Sequence, residues 1–225
     1  MPRTLTLLAG LALAAPAWGG AEGTVTTDKD KRTVTVPARV APRKIDDPRY
    51  KEIYPIEVIA CWPFPRGQKA HETVVTVEAK PSAVHRALES LGLKPGAPAR
   101  GDSTEPPRGP EVNVYLEVPG EAGRVKRLPI EKVLIDRKTN KAMPKMKWRF
   151  TGSVLTQPDP NKPEKVYGAD LTGTLIAIFP VTDQTVFQTH FTMKEEKYVK
   201  LETNKKLLPA VGTPVKLVLE VPRGK

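Results

Sequence analysis

Val112-Asn-Val-Tyr-Leu-Glu-Val118 decides the fold class. Val112, Val114, Leu116 and Val118 alternate strictly with Asn113, Tyr115 and Glu117. Successive side chains of an extended chain point to opposite faces, so this segment has one apolar face and one wet face. That pattern marks a half-buried antiparallel strand. Pro119-Gly120 supplies the turn, and Arg124 to Leu128 follows as the hairpin partner.

Outward from this hairpin the chain reads mainly as β. Upstream, Thr33-Val34-Thr35-Val36 alternates and runs into Pro37, which predicts an edge strand because proline has no donor for a ladder. Pro55 to Ile59 and Glu72 to Ala79 are further strand-like runs. Downstream, Met146, Trp148 and Phe150 alternate with Lys145, Lys147 and Arg149. Val166-Tyr167, Leu171 to Phe179, Val186 to Met193 and Pro214 to Val221 complete the set, while Pro129 to Ile135 fits either a short helix or a strand. One helix is predicted, at about 81–91. Pro81 suits its first turn, Val84, Leu88 and Leu91 share a face, and Gly92 suits a left-handed stop. The reading is an α+β fold, mainly antiparallel β-sheet with one principal helix packed on it. The 24 prolines are spread through the chain rather than repeated, as fixed turns between short strands require.

Residues 1–21 predict export. Arg3 precedes an uncharged apolar run from Leu5 to Ala15, Pro16 breaks it, and Ala17, Gly19, Gly20 and Ala21 supply a small-residue cleavage zone. The run is about half the length that a membrane span needs. The expected organisation is a signal peptide over 1–21, a polar N-terminal segment with an edge strand over 22–50, and a single α+β domain over 51–225. The expected location is periplasmic or extracellular, with no transmembrane segment in the mature chain.

The formal net charge is +11, and loss of Arg3 with the signal peptide leaves +10. Such a surplus attracts polyanions, and for an exported protein these are envelope polymers rather than nucleic acid. Cys61 is the one cysteine, which excludes an internal disulfide.

Two sets of residues have chemistry to offer. Cys61, His71, Glu72 and His85 follow one another along a strand–loop–strand–helix order that brings a helix back toward the preceding loop. Their side chains suit zinc or copper, and a Cys/His pair is the minimum for a thiolate nucleophile. Their spacing matches no established metal motif, so no cofactor is expected as the default. Lys138 and Lys141 flank a turn beside Lys145, Lys147 and Arg149, which share one face of a strand; together they form a candidate anion-binding stripe. There is no nucleophile elbow, phosphate loop or dinucleotide fingerprint.

Cys61, then Gly67-x-x-x-His71-Glu72, then Ala79-x-Pro81-x-x-Val84-His85-x-x-Leu88-x-x-Leu91-Gly92-x-x-Pro95-Gly96, resembles the bacterial YdjY-domain family. Trp148-x-Phe150-x-Gly152-Ser153, Ala169-Asp170-x-x-Gly173-x-Leu175-Ile176-Ala177 and Pro209-x-x-Gly212-Thr213-Pro214 carry the same likeness, over about residues 55–221. The resemblance implies an exported setting and, since some relatives are joined to iron–sulfur modules, an envelope redox protein as a partner. It implies no reaction, and one cysteine cannot hold a cluster.

Three functions are carried forward from the sequence. The first is an exported accessory or binding protein of unknown ligand, without catalysis. The second is a metal- or thiol-dependent redox accessory protein using Cys61, His71, Glu72 and His85. The third binds an anionic envelope polymer through the basic strand face.

Overall fold

The computed structural model describes residues 23–103 and 105–223, and the predicted signal peptide lies outside them. The first half supplies β1 (Thr26–Asp28), β2 (Thr33–Val40), β3 (Val58–Cys61), β4 (Thr73–Val77) and helix α1 (Pro81–Glu89). Next come β5 (Glu111–Pro119), β6 (Val125–Pro129), β7 (Leu134–Asp136), β8 (Trp148–Phe150), β9 (Leu155–Thr156) and β10 (Val166–Tyr167). Helix α2 (Ala169–Thr172), β11 (Thr174–Ala177), β12 (Phe187–Thr189), α3 (Met193–Tyr198), β13 (Leu201–Thr203) and β14 (Pro214–Glu220) complete the chain.

The hairpin predicted from the alternating valines is present, with Leu116 opposite Leu128. Val112, Val114, Leu116 and Val118 are buried, and the residues between them are half-exposed. The sheet around the hairpin differs from the plain antiparallel one expected. Eight strands close into a barrel in the order β2, β14, β5, β8, β12, β11, β3, β4, and β4 returns to β2 through Ala38 opposite Val77 and Val40 opposite Val75. Two neighbouring pairs are parallel, β3 with β4 and β11 with β12. Closure removes free edges, and every strand of the ring gives side chains to one core that includes Trp148, Phe150 and Phe187.

Closure explains the other departures. β2 was expected at an edge, but it runs to Val40 and pairs with β14 on one side and with β1 and then β4 on the other. Pro37 falls where pairing with β1 has ended at Thr35 and pairing with β4 begins at Ala38, so its missing donor interrupts neither ladder. Thr26–Asp28 and Thr33–Val40 of the N-terminal segment therefore share the sheet with the rest of the described chain. The expected strand from Leu171 to Phe179 is divided: Gly173 takes a left-handed conformation (φ +70°) after the single turn of α2, and β11 begins at Thr174. The expected strand from Val186 ends at Thr189. Thr192 and Glu195 then form a reciprocal capping box that starts α3. Residues 129–135 hold both alternatives in series, a 3₁₀ turn at Ile130–Val133 followed by β7.

Helix α1 matches its sequence pattern. Val84 and Leu88 are fully buried and Leu91 nearly so. It ends as a Schellman motif: Leu93 N–H donates to Leu88 O at 3.3 Å, and Gly92 N–H to Glu89 O at 2.8 Å, with Gly92 at φ +86°. Its start is capped from another element, since Asp170 Oδ1 in α2 accepts the Ser82 N–H at 2.9 Å. No helix among the described residues is long and apolar enough to cross a membrane.

Candidate functional site: a polar cleft between two crossovers

Parallel neighbours cannot be joined by a tight turn, so the chain must cross over between them. Residues 62–72 make that crossing from β3 to β4, and residues 178–186 from β11 to β12. Both crossovers are pinned near the start of β11. From the first, Trp62 N–H donates to Gly173 O at 2.9 Å and Gln68 N–H to Thr172 O at 3.0 Å. The Trp62 indole N–H is held by Ala79 O at 2.8 Å. From the second, Gln184 O accepts the Thr172 hydroxyl at 2.9 Å, and Val186 N–H reaches Leu175 O at 3.1 Å.

Between them lies a cavity of about 870 Å³ whose lining includes Gln68, Lys69, Thr156, Thr172, Thr174 and Gln184. Threonine and glutamine side chains are the commonest polar groups in it, beside the charged Lys69, Arg100, Asp102 and Asp183; Arg100 stands 3.4 Å from Asp102 and 3.8 Å from Asp183. Gln184 Nε2 donates to Thr156 Oγ1 at 3.0 Å, which fixes both side chains. Thr174 is wholly buried, and its hydroxyl has no hydrogen-bond partner among the described residues. A buried polar atom left unpaired costs about 1–3 kcal/mol, so the Thr174 hydroxyl is a costly feature of this wall that no described residue offsets.

Behind this wall is a half-buried charge network. The Lys69 ammonium lies 2.8 Å from Glu72 and 3.4 Å from Glu57. His71 Nε2 stands 3.1 Å from the other Glu72 oxygen, and its ring stacks on Tyr50 at 4.3 Å and meets Tyr54 edge-on at 5.1 Å. His71 Nδ1 is buried without a partner among the described residues. Burial and the neighbouring Glu72 push the Glu57 carboxyl up to about 7. Burial also acts on Glu72, but hydrogen bonds from His71 and Lys69 outweigh it and hold that carboxyl low. The pair therefore keeps one charge and one proton at mildly acidic pH and sheds that proton as pH rises through about 7. Arg43 clamps the far side, pairing with Glu202 at 2.6 Å and donating to the His71 carbonyl at 3.4 Å.

Of the four residues expected to converge, three adjoin and His85 stands apart. His71 and Glu72 belong to this network. Cys61 packs beside it in a satellite core with Ile45, Val58 and Ala70, against which Tyr50 also packs; burial pushes its thiol up to about 12, and the Glu72 and Lys69 charges reach it. His85 stands on α1, where Nδ1 is 2.7 Å from the Tyr167 hydroxyl and Nε2 is 3.3 Å from Glu89, with the ring edge against Phe150. The Tyr167 hydroxyl also accepts from Ser153 N–H at 3.1 Å. Among the described residues no group of three or more His, Cys, Asp or Glu side chains is placed to hold a metal ion.

Of the basic stripe, Lys138, Lys141, Lys145 and Lys147 are exposed. Arg149 differs: it is half-buried, 3.8 Å from Glu111, and donates to Gly109 O. Lys145 and Lys147 precede β8 instead of lying within it.

Sequence reasoning missed Lys69, Glu57 and Thr174. The Lys69-x-x-Glu72 spacing was a visible charge pair, but nothing local announces that Glu57 sits on the far side of the same ammonium. In a comparison with protein families, a family described as the YdjY domain matches residues 25–220. No curated protein and no solved structure matches the chain.

Proposed function

The chain belongs to the YdjY-domain family, and from that premise and the cleft we propose that it is an exported, non-catalytic binding protein that holds an uncharged polar ligand between the 62–72 and 178–186 crossovers. The single observation that carries this reading is the unpaired, buried Thr174 hydroxyl in the wall of an 870 Å³ cavity rich in threonine and glutamine. Hydroxyl and amide groups at fixed positions suit a ligand that offers the same groups, such as a saccharide. Export rests on the sequence pattern of residues 1–21.

The absence of catalysis is argued from how the reactive side chains are used. Both nitrogens of His85 are engaged, and Cys61 is shielded with its thiol held protonated. The Glu57–Glu72 pair stands behind Lys69, outside the cavity lining. A redox role through Cys61 has less support for the same reason: the thiolate is the reactive form.

Calorimetric titration with neutral mono- and disaccharides, against charged analogues of similar size, tests the reading. Saturable binding of a neutral ligand is expected, and Thr174→Val should weaken it at least tenfold. That substitution keeps the shape and removes a hydroxyl with no protein partner, so the fold should be unharmed. Failure of every neutral ligand, or unchanged affinity in the valine variant, overturns the proposal.

A further inference from the structure

Charge is distributed very unevenly along the chain. Residues 124–149 hold ten lysines and arginines against two acidic residues, which accounts for +8 of the total +11. Both acids are occupied. Glu131 is buried and accepts from the Trp148 indole at 3.0 Å and from Met146 N–H at 3.1 Å. Asp136 accepts from the backbone of Lys138 and the hydroxyl of Thr139.

Three of the ten cations are also occupied. Arg127 pairs with Glu220 and covers the Tyr115 ring, Arg137 pairs with Glu202, and Arg149 faces Glu111. The other seven are Arg124, Lys126, Lys132, Lys138, Lys141, Lys145 and Lys147. All seven are exposed, and none forms an ion pair among the described residues. Against this stretch a groove of about 310 Å³ runs between Tyr115, Pro129, Met143 and Trp148; Lys132 and Lys145 line it, as does the buried Glu131, whose Oε1 is taken by Met146 and Trp148. Seven unpaired cations on one stretch repel one another, a cost that a polyanion would relieve.

We propose that the face built by residues 124–149 is a docking site for a linear polyanion, centred on the groove lined by Lys132 and Lys145. Two features favour a chain-like anion over a membrane. Lys145 and Lys147 are both exposed on either side of the buried Met146, so two ammonium groups follow one another along the segment that enters β8. A membrane-surface site inserts apolar side chains, whereas Val125 is the one large hydrophobic residue exposed in this stretch. Lysine ammonium groups are point charges that tolerate varied anion geometry, which suits a repeating sulfate, phosphate or carboxylate. This face shares no lining residue with the polar cleft.

The test uses the purified protein and fluorescently labelled heparin, followed by anisotropy over about 50–200 mM salt, where counterion release gives a linear log–log dependence. Binding that weakens steeply with salt is expected. The triple variant Lys132→Gln, Lys145→Gln, Lys147→Gln should lose at least tenfold in affinity and show a shallower slope. A control, Lys80→Gln, Lys94→Gln, Lys165→Gln, removes the same charge from exposed, unpaired lysines elsewhere and should change affinity less than twofold. Thermal melts of both variants establish that each is folded. The proposal is overturned by absence of heparin binding, by equal losses in the two variants, or by binding to phosphatidylglycerol vesicles in place of heparin.

Discussion

The Trp62 indole lies against Gly173 so closely that a Cβ at position 173 would stand 2.7 Å from two of its ring carbons. This contact seats the first crossover on the start of β11, and it joins a residue from the loop to one that sequence alone placed inside a strand. Gly173→Ala must introduce that Cβ and also hold φ near +70°, a left-handed conformation that costs a side-chain-bearing residue about 1–2 kcal/mol. A loss of at least about 2 kcal/mol in denaturant unfolding is expected once the displaced indole is included. Weaker binding in the cleft should accompany it, because Trp62 and Gln68 are anchored at the same place. A loss below about 0.5 kcal/mol, the scale of an ordinary surface change, would mean that the crossover is not seated as described.

What could be read in advance follows from the range of the interactions. The β5–β6 hairpin and helix α1 are local objects, written in alternation at 112–118 and in the Pro81, Val84, Leu88 and Gly92 spacing, and both are present. The barrel is not local. Whether β3 and β4 run parallel or antiparallel depends on where residues 62–72 lead, and no pattern in that loop states its direction. Reading the sheet as mainly antiparallel hid both crossovers, and with them the cleft. The candidate site suffered for the same reason. His71 and Glu72 belong to the network through their closeness in sequence to Lys69, whereas grouping His85 with them relied on the strand–loop–strand–helix order, which does not say where along the helix the approach falls. Cys61 faces a satellite core, and His85 packs on Phe150. Thr174 carried no signal, since one threonine in a strand-like run is unremarkable until its hydroxyl is found without a partner.

The buried carboxyl pair predicts a pH dependence with a definite sign. Glu57 has a folded-state value raised from 4.5 to about 7, chiefly by burial and then by Glu72. The folded protein therefore holds that proton more tightly than the unfolded chain. The stabilisation it brings is complete below about pH 4.5 and is lost as pH rises through about 7. Glu72 and Glu202 act in the opposite sense, because hydrogen bonds hold both low despite burial; their stabilisation is lost as pH falls from about 4.5 toward 2. Between pH 5 and 8 the Glu57 contribution stands alone among the three. Glu57→Gln keeps a neutral, hydrogen-bonding group beside Lys69 and Glu72 and removes the titration. Stability measured by urea unfolding should fall less steeply with pH in the variant than in the wild type. The difference can approach, but not exceed, about 1.4 kcal/mol per pH unit for one proton. Parallel curves for the two proteins would show that Glu57 is already ionised at pH 5.

Cys61 offers the sharpest separation of a packing thiol from a functional one. It has no solvent exposure, packs with Ile45, Val58 and Ala70, and lies beneath Phe64 and Tyr50. Burial holds its thiol at about 12, so at pH 8 about one molecule in ten thousand carries the thiolate that attacks a disulfide reagent. Labelling by an aromatic disulfide is therefore expected to be slow in the folded protein and to follow the rate of opening, independent of reagent concentration once reagent is abundant. In denaturant the same thiol should react completely within the mixing time of an ordinary exposed cysteine. Phe64→Ala, which removes part of the cover, should speed the folded-state reaction while leaving the denatured rate unchanged. Stoichiometric labelling of the native wild type within seconds would overturn the assignment, because it would require a thiolate that is both exposed and stabilised.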